Sequence, residues 1–266
     1  MSGTTKFLGS CLLDGHSNNL ALDNNSLLII GHNSSLRLRN VKLDNIFSGK
    51  ILCLDDTAQL ILDNTQWVQS ANYSFTRGSI LFCNEVDLLG PYKFTYQSSI
   101  TSTLSSFASV TLDRGLTFSY DPSSGNKQLI NFTDSSAKII LCMSTLNAWN
   151  GIKLTKGSMV IDDVSSFVIG NNKAITIGND ASSDDFTVVI VHGSTLHVSG
   201  GTLIYKNIND ASWNMAAKTT ALCMVNATLQ LDQTLNIGSG RLFLYPGATQ
   251  TNAVGKTLIG ITTCPA

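Results

Sequence analysis

One short phrase recurs along the 266 residues, and it limits the fold before any local reading does. A small residue and a spacer lead into an apolar–x–apolar alternation, which ends in Asp, Asn or Gly. The phrase appears as Ser35-Leu-Arg-Leu38, Ala58-Gln-Leu-Ile-Leu62, Ser79-Ile-Leu-Phe82, Ser109-Val-Thr-Leu112 and Ala137-Lys-Ile-Ile-Leu141. It returns as Ser158-Met-Val-Ile161, Ser194-Thr-Leu-His-Val198, Ala227-Thr-Leu-Gln-Leu231 and Gly240-Arg-Leu-Phe-Leu244. The longest echo sets Ala58–Phe82 against Ala137–Ile161 at a constant offset of 79 residues (137 − 58), with Phe75-Thr-Arg-Gly-Ser79 falling on Leu154-Thr-Lys-Gly-Ser158. Further on, Leu222-Cys223-Met224 echoes Leu52-Cys53-Leu54, and Ala227–Asp232 echoes Ala58–Asp63, one residue out of step.

Alternation with period two over four or five residues marks a half-buried strand. The punctuation between strands (Asp63-Asn64, Gly170-Asn171-Asn172, Gly178-Asn179-Asp180, Gly200-Gly201) is turn chemistry, because Gly, Asn and Asp tolerate the left-handed backbone of tight corners. Successive phrases stand 24 residues apart from Leu36 to Leu60 (60 − 36), 20 from Leu60 to Ile80 (80 − 60) and 29 from Val110 to Ile139 (139 − 110). A coil of two or three short strands fits that length, whereas the two-residue turns of hairpins are sparse. Coils stacked in parallel at about 4.8 Å each would make a rod of about ten coils, of the order of 50 Å long. The expected fold is therefore all-β: one single-stranded parallel β-helix, or solenoid, forming a single domain over 1–266. One helical insertion is expected at 210–221, where Asp210 or Ser212 can cap an alanine-rich turn. Neither end carries a capping sequence, so the chain reads as a stretch of a longer one.

LLDGHSNNLAL at 12–22, followed by LLIIGHNSSLRLRNVKLDNI at 27–46, resembles the opening coils of right-handed parallel β-helix proteins of the pectin-lyase-like superfamily. The pattern covers residues 10–46 well, and looser echoes run through 244. The resemblance implies a right-handed coil. It does not imply one activity, because the superfamily holds polysaccharide lyases, hydrolases, tailspikes, autotransporter passengers and surface repeat proteins, and fold does not carry function across such a set.

Composition narrows the function classes. Charged residues make up 13% of the chain and the net charge is −1, with Lys and Arg scattered. The nearest thing to a basic cluster, Arg37, Arg39 and Lys42, reads as a solvated strand face and gives no footprint for nucleic acid. No apolar run approaches the roughly 20 residues of a spanning helix. The Met1–Lys6 segment leads into strand-like sequence without the apolar core of a signal peptide. Of the six cysteines, Cys53, Cys83, Cys142 and Cys223 sit inside apolar runs and read as buried free thiols, and no CxxC pair occurs among the six.

The candidate chemistry is thin. Asp55-Asp56, Asp162-Asp163 and Asp184-Asp185 invite comparison with the paired carboxylates of glycosidases. Neighbouring strand residues point to opposite faces, however, so one such step cannot supply both groups of a site, and polar corners explain the pairs better. The β-helix pectin hydrolases would further require Asn-Thr-Asp, Gly-His-Gly and Arg-Ile-Lys along one face, and none of the three occurs here. A lyase would need clustered calcium-binding acids, but the 18 acids are dispersed. His192 and His197 bracket a turn without further ligands nearby. No catalytic residue, metal site or cofactor is expected. The best lead for binding is the run of aromatics that includes Trp67, Tyr73, Tyr92, Tyr96 and Tyr120, which on corner loops would stack on sugar rings or anchor a protein. The alternative is that they fill the coil interior. Leu27–Ile30 and Val188–Val191 are apolar on both strand faces, which favours self-association through a lateral contact.

These readings converge on a non-enzymatic structural or binding rod, the segment of a secreted or cell-surface protein whose partners are carbohydrate or another protein. A cytoplasmic setting is left open. The alternative is a polysaccharide lyase or glycoside hydrolase of the resembled superfamily.

Overall fold

The computed structural model describes residues 2–121, 130–180, 185–208, 212–215 and 217–263. It is a parallel β-solenoid of about ten turns, and no helix occurs among the described residues. The coil spacings read from the sequence hold residue by residue. Leu36 pairs with Leu60, Leu60 with Ile80, and Val110 with Ile139, each pair on adjacent coils.

Each coil has three sides. The first carries Leu27–Ile30 and Ile51–Cys53 early in the chain and, later, strands such as Thr117–Tyr120, Val164–Ile169 and Ala221–Val225. In the first four coils the second and third sides share one long strand: Ser10–Ala21, Ser35–Ile46, Gln59–Gln69 and Ser79–Leu89. Beyond them the two sides become separate strands. Ser79–Leu89 pairs through Leu81 and Phe82 with Ser102–Leu104, and through Glu85–Leu89 with Ser109–Asp113.

A stack of left-handed asparagines explains the bend in the long strands. Asn40, Asn64 and Asn84 have φ of 49°, 52° and 54°. Asn64 Nδ2 donates to Asn40 Oδ1 at 2.8 Å, and Asn84 Nδ2 donates to Asp63 Oδ1 at 2.6 Å. Asparagine tolerates this conformation, whereas a β-branched residue does not. Asn64→Val is therefore expected to cost about 1–3 kcal/mol and Asn64→Gly distinctly less. Chemical denaturation of the two variants measures the gap, and equal losses would sink this account of the corner.

The offset-79 echo takes on a new meaning here. Leu60 lies on the second side of its coil, stacked on Leu36 and Ile80, but Ile139 lies on the third side, stacked on Val110, which stacks on Val86 and so on Thr65. The echo is thus displaced by one side. Both copies carry a left-handed glycine corner near their end, Gly78 at φ 77° and Gly157 at φ 96°, out of which the strands Ser79–Leu89 and Ser158–Asp162 run. At Gly78 an added Cβ would fall 2.4 Å from the Ala58 carbonyl oxygen, so the phrase describes a strand leaving a tight corner, whichever side that strand joins.

The expected helical insertion at 210–221 is not formed where the structure describes it. Trp213–Met215 is a strand paired in parallel with Thr187–Ile190, and Ala221 opens another. The pull of an open parallel ladder and the burial of Trp213 and Met215 outweigh the local alanine propensity. Residues 210, 211 and 216 of that segment lie outside the described residues.

The interior is one continuous apolar column from Leu22 to Leu242. Stacked aromatics fill its first side. Phe94 lies on Phe118 with ring centroids 5.2 Å apart, Tyr96 on Tyr120 at 5.9 Å, and Phe75 on Tyr96 at 5.5 Å, all within 20° of parallel. Register brings like positions together every coil, and the slightly longer centroid distances reflect the offset that π-systems prefer.

Candidate functional site

Trp67, Tyr73, Tyr96 and Tyr120 are core residues with 0–2% of their surface exposed, so their rings have no face to offer a ligand. This corrects the expectation of a binding platform for those four. Trp67 meets Tyr73 edge-on at 5.0 Å and Phe94 at 6.0 Å. The Tyr73 hydroxyl donates to the Ile51 carbonyl at 2.9 Å, and burial pushes its pKa well above the usual phenol range. The signal was present in the sequence. Tyr73-Ser-Phe75, Phe94-Thr-Tyr96 and Phe118-Ser-Tyr120 alternate aromatic with hydroxyl, which turns both rings of each strand inward. Tyr92, by contrast, is 37% exposed at a corner, as are Trp149 at 47% and Phe107 at 83%.

The ionisable groups mostly join coil to coil. Arg39 donates twice to Asp14 Oδ2, at 2.8 and 2.6 Å, and Arg37 reaches Asp63 at 3.4 Å. His32 Nδ1 hydrogen-bonds Asp55, whose other oxygen accepts from Thr57 Oγ1 at 2.7 Å. Asp56 accepts from Ser99, and Asp162 accepts from the Asp163 amide at a corner. The aspartate pairs are thus corner fittings where they are described, and Asp184 lies outside the described residues. Among the described residues no three His, Cys, Asp or Glu converge on a metal position.

Two of these carboxyls are held well below the usual range, to about 2. For Asp14 the main cause is the His16 amide, then Arg39; for Asp55 it is the Thr57 hydroxyl, then His32. A depressed carboxylate stabilises the fold above its unfolded value of 3.8, and that contribution is lost as pH falls through about 2. The double variant Asp14→Asn/Asp55→Asn should therefore show a shallower fall in melting temperature than the parent between those two pH values. Parallel slopes would rule the two groups out as the acid-sensitive ones.

Cys11, Cys53, Cys83, Cys142 and Cys223 are free thiols, and Cys264 lies outside the described residues. Burial, with Asp55 second, pushes Cys53 up to about 12; burial, with Asp113 second, pushes Cys142 up to about 11. Neither is a thiolate at neutral pH, which suits packing rather than nucleophilic work.

The concave feature that sequence reading missed lies on the second side. A groove of about 500 Å³ runs over Ile152–Leu154, Ala174–Ile177, Thr202–Tyr205 and Thr228–Leu231. Lys153, Thr176, Ile204 and Gln230 stand in one outward row along the rod, in strict register. Gly151 and Ala174 keep the neighbouring row low, for an added Cβ at Gly151 (φ 82°) would meet the Ala174 carbonyl oxygen at 2.9 Å. Asn150, Asn172 and Lys173 raise the rim.

A second outward row, Ile140, Val160 and Val189, makes a half-buried apolar ridge on the third side. It includes one of the two runs expected to be apolar on both faces. No long apolar helix capable of crossing a membrane occurs among the described residues. No family model matches the chain, and neither a curated protein nor a solved structure does.

Proposed function

We propose that this chain is a non-enzymatic rod, part of a secreted or cell-surface protein, that works by presenting its outer faces to carbohydrate or to other proteins. The observation carrying this reading is the ladder itself. Parallel stacking holds outward side chains in straight rows several coils long, as in Lys153–Thr176–Ile204–Gln230, which suits an extended partner. The use of aspartates as corner fittings, and the raised pKa of the Cys53 and Cys142 thiols, support binding over catalysis.

The test is incubation of the purified chain with neutral and acidic polysaccharides, followed by assay for new reducing ends and for unsaturated products. Neither is expected. Release of either would replace this reading with that of a hydrolase or lyase. The ridge of Ile140, Val160 and Val189 is proposed as the seam for self-association, and light scattering over a concentration series reads it directly. A monomer throughout would remove the seam and leave the rod to act singly.

A further inference from the structure

The third side carries a pattern that its apolar ridge alone does not explain. Its strands Ser109–Asp113, Lys138–Cys142, Ser158–Asp162 and Thr187–Ile190 stack in strict register. Thr111, Ile140, Val160 and Val189 therefore form its central outward row. That row turns polar at both ends, where Asp87 stacks below Thr111 and Asn214 above Val189. The apolar patch is confined to these coils.

Charge gives the patch a direction across the rod. On the edge where the strands enter, the exposed Lys138 points outward with Ile140, while Asp134 is turned back into its own corner by the Ser136 amide at 2.9 Å. On the edge where the strands leave, Asp113, Asp162 and Asp163 cluster around Cys142. No ion pair among the described residues joins Lys138 or any of those three aspartates. One edge is thus positive and the other negative, and both charges are left for a partner to neutralise.

Strained side chains stand at both edges. Phe107 on the entry edge has φ 60°, and Arg114 and Met143 on the exit edge have φ 61° and 46°; all three are exposed. Other coils turn the corner that Phe107 turns with Asn84 at φ 54° and Gly157 at φ 96°, residues that tolerate a left-handed backbone. The Phe107 amide is fixed by the Ser136 hydroxyl at 2.7 Å, but the ring reaches into water. A benzyl group held out on a strained backbone costs the free chain twice, and outliers of this kind gather where a surface is used.

These positions are complementary to themselves. Two copies laid face to face about a two-fold axis parallel to the rod keep every coil at its height and exchange the two edges. Lys138 of one copy then faces the Cys142 position of the other, between Asp113 and Asp162. Phe107 of one copy lands beside Arg114 of the other, one coil or about 4.8 Å from Met143, so the ring meets a guanidinium and a thioether. Ile140, Val160 and Val189 stay on the axis, and each meets its own counterpart. Rods running in opposite directions would instead set the three acids on their like. We propose that the third side is the interface of a parallel, two-fold homodimer, anchored by Phe107 and oriented by Lys138 against Asp113 and Asp162. The proposal deepens the self-association seam of the binding-rod reading and rests on it.

Light scattering of the intact chain over a concentration series should show a monomer–dimer equilibrium. Lys138→Glu and Asp162→Lys should each weaken the dimer about tenfold or more, and the two combined should restore it. Phe107→Gly should weaken it as much, yet leave the melting temperature of the dilute monomer unchanged or higher, because glycine relieves the corner; a ring needed for the fold would lower it. Ile140→Cys and Val189→Cys, two coils apart on the axis, should each form a self-linked dimer under mild oxidation, above the level seen in the parent. Opposed rods would let at most one of the two do so. All of these are surface or half-buried positions, so circular dichroism should be unchanged. A monomer at every concentration would overturn the interface and the seam together. A trimer, a dimer indifferent to the charge exchange or to Phe107→Gly, or cross-linking at only one cysteine would overturn this geometry and leave the seam standing.

Discussion

Trp67→Ala is expected to cost about 3–5 kcal/mol, the largest single loss available from a core truncation here. The indole is fully buried, touches Tyr73 and Phe94 edge-on, and begins a stack that passes through Phe94 to Phe118. Its removal leaves a cavity that rings held in register on neighbouring coils cannot collapse to fill. Set against a total of about 5–15 kcal/mol for a typical domain, that loss would leave much of the population unfolded at 37 °C or lower the melting point sharply. Trp67→Phe should be far milder. It retains most of the ring volume and removes an indole N–H that has no acceptor among the described residues. Tyr92→Ala, at an exposed corner, should move stability by no more than about 0.5 kcal/mol. Denaturant melts of the three would decide the matter, and a Trp67→Ala loss near that of Tyr92→Ala would contradict the stacked core.

The second large effect is expected at Lys50, which is 2% exposed. Its Nζ donates to the Asp23 carbonyl and, at 3.4 Å, to the Ser26 carbonyl, and lies 4.4 Å from the Phe47 ring centroid. The ammonium thus ties a corner of the first coil to one of the second. Lys50→Met keeps the stem and removes the donors, so the Asp23 carbonyl, which also accepts from the Ser26 amide at 3.1 Å, and the Ser26 carbonyl each lose one hydrogen bond, at an expected cost of about 1–3 kcal/mol. Desolvation of the charge works the other way, because a buried cation without a carboxylate partner is itself costly. We expect the lost hydrogen bonds to win, since the ammonium also gains from the Phe47 face. Urea unfolding measures the balance. A neutral or stabilised Lys50→Met would mean that desolvation dominates.

Strand phrases, coil lengths and the parallel stack were legible because they depend on local alternation and on turn residues. The echo of Ala58–Asp63 in Ala227–Asp232 even keeps its side, both strands lying on the second. The 79-residue echo does not, because a strand leaving a tight corner, whether an Asp turn before Ala58 and Ala137 or the glycines Gly78 and Gly157, looks the same on any side. The inward turn of the aromatics is legible in their alternation with Ser and Thr, whereas their crowding along the chain is equally compatible with corner loops. The groove could not have been read at all. Lys153, Thr176, Ile204 and Gln230 lie 23, 28 and 26 residues apart (176 − 153, 204 − 176, 230 − 204), and only coil lengths fixed by the whole stack bring them into line. Lys50 was equally silent, for its burial comes from a corner formed one coil earlier.

The long bent strands of the first four coils bear on how such a rod would yield to a pull. Ladder hydrogen bonds lie along the rod axis, so tension applied end to end stretches them directly and opens the stack one coil at a time. Where Ser10–Ala21, Ser35–Ile46, Gln59–Gln69 and Ser79–Leu89 lie on one another, two sides share a single unbroken strand, and a long run of bonds must stretch together. Beyond them the ladders are shorter and separated by corners, so rupture can begin in a three- or four-residue strand and spread. Force would fray the later coils first and leave the early ones as a stiff stub, giving the rod a built-in order of mechanical failure.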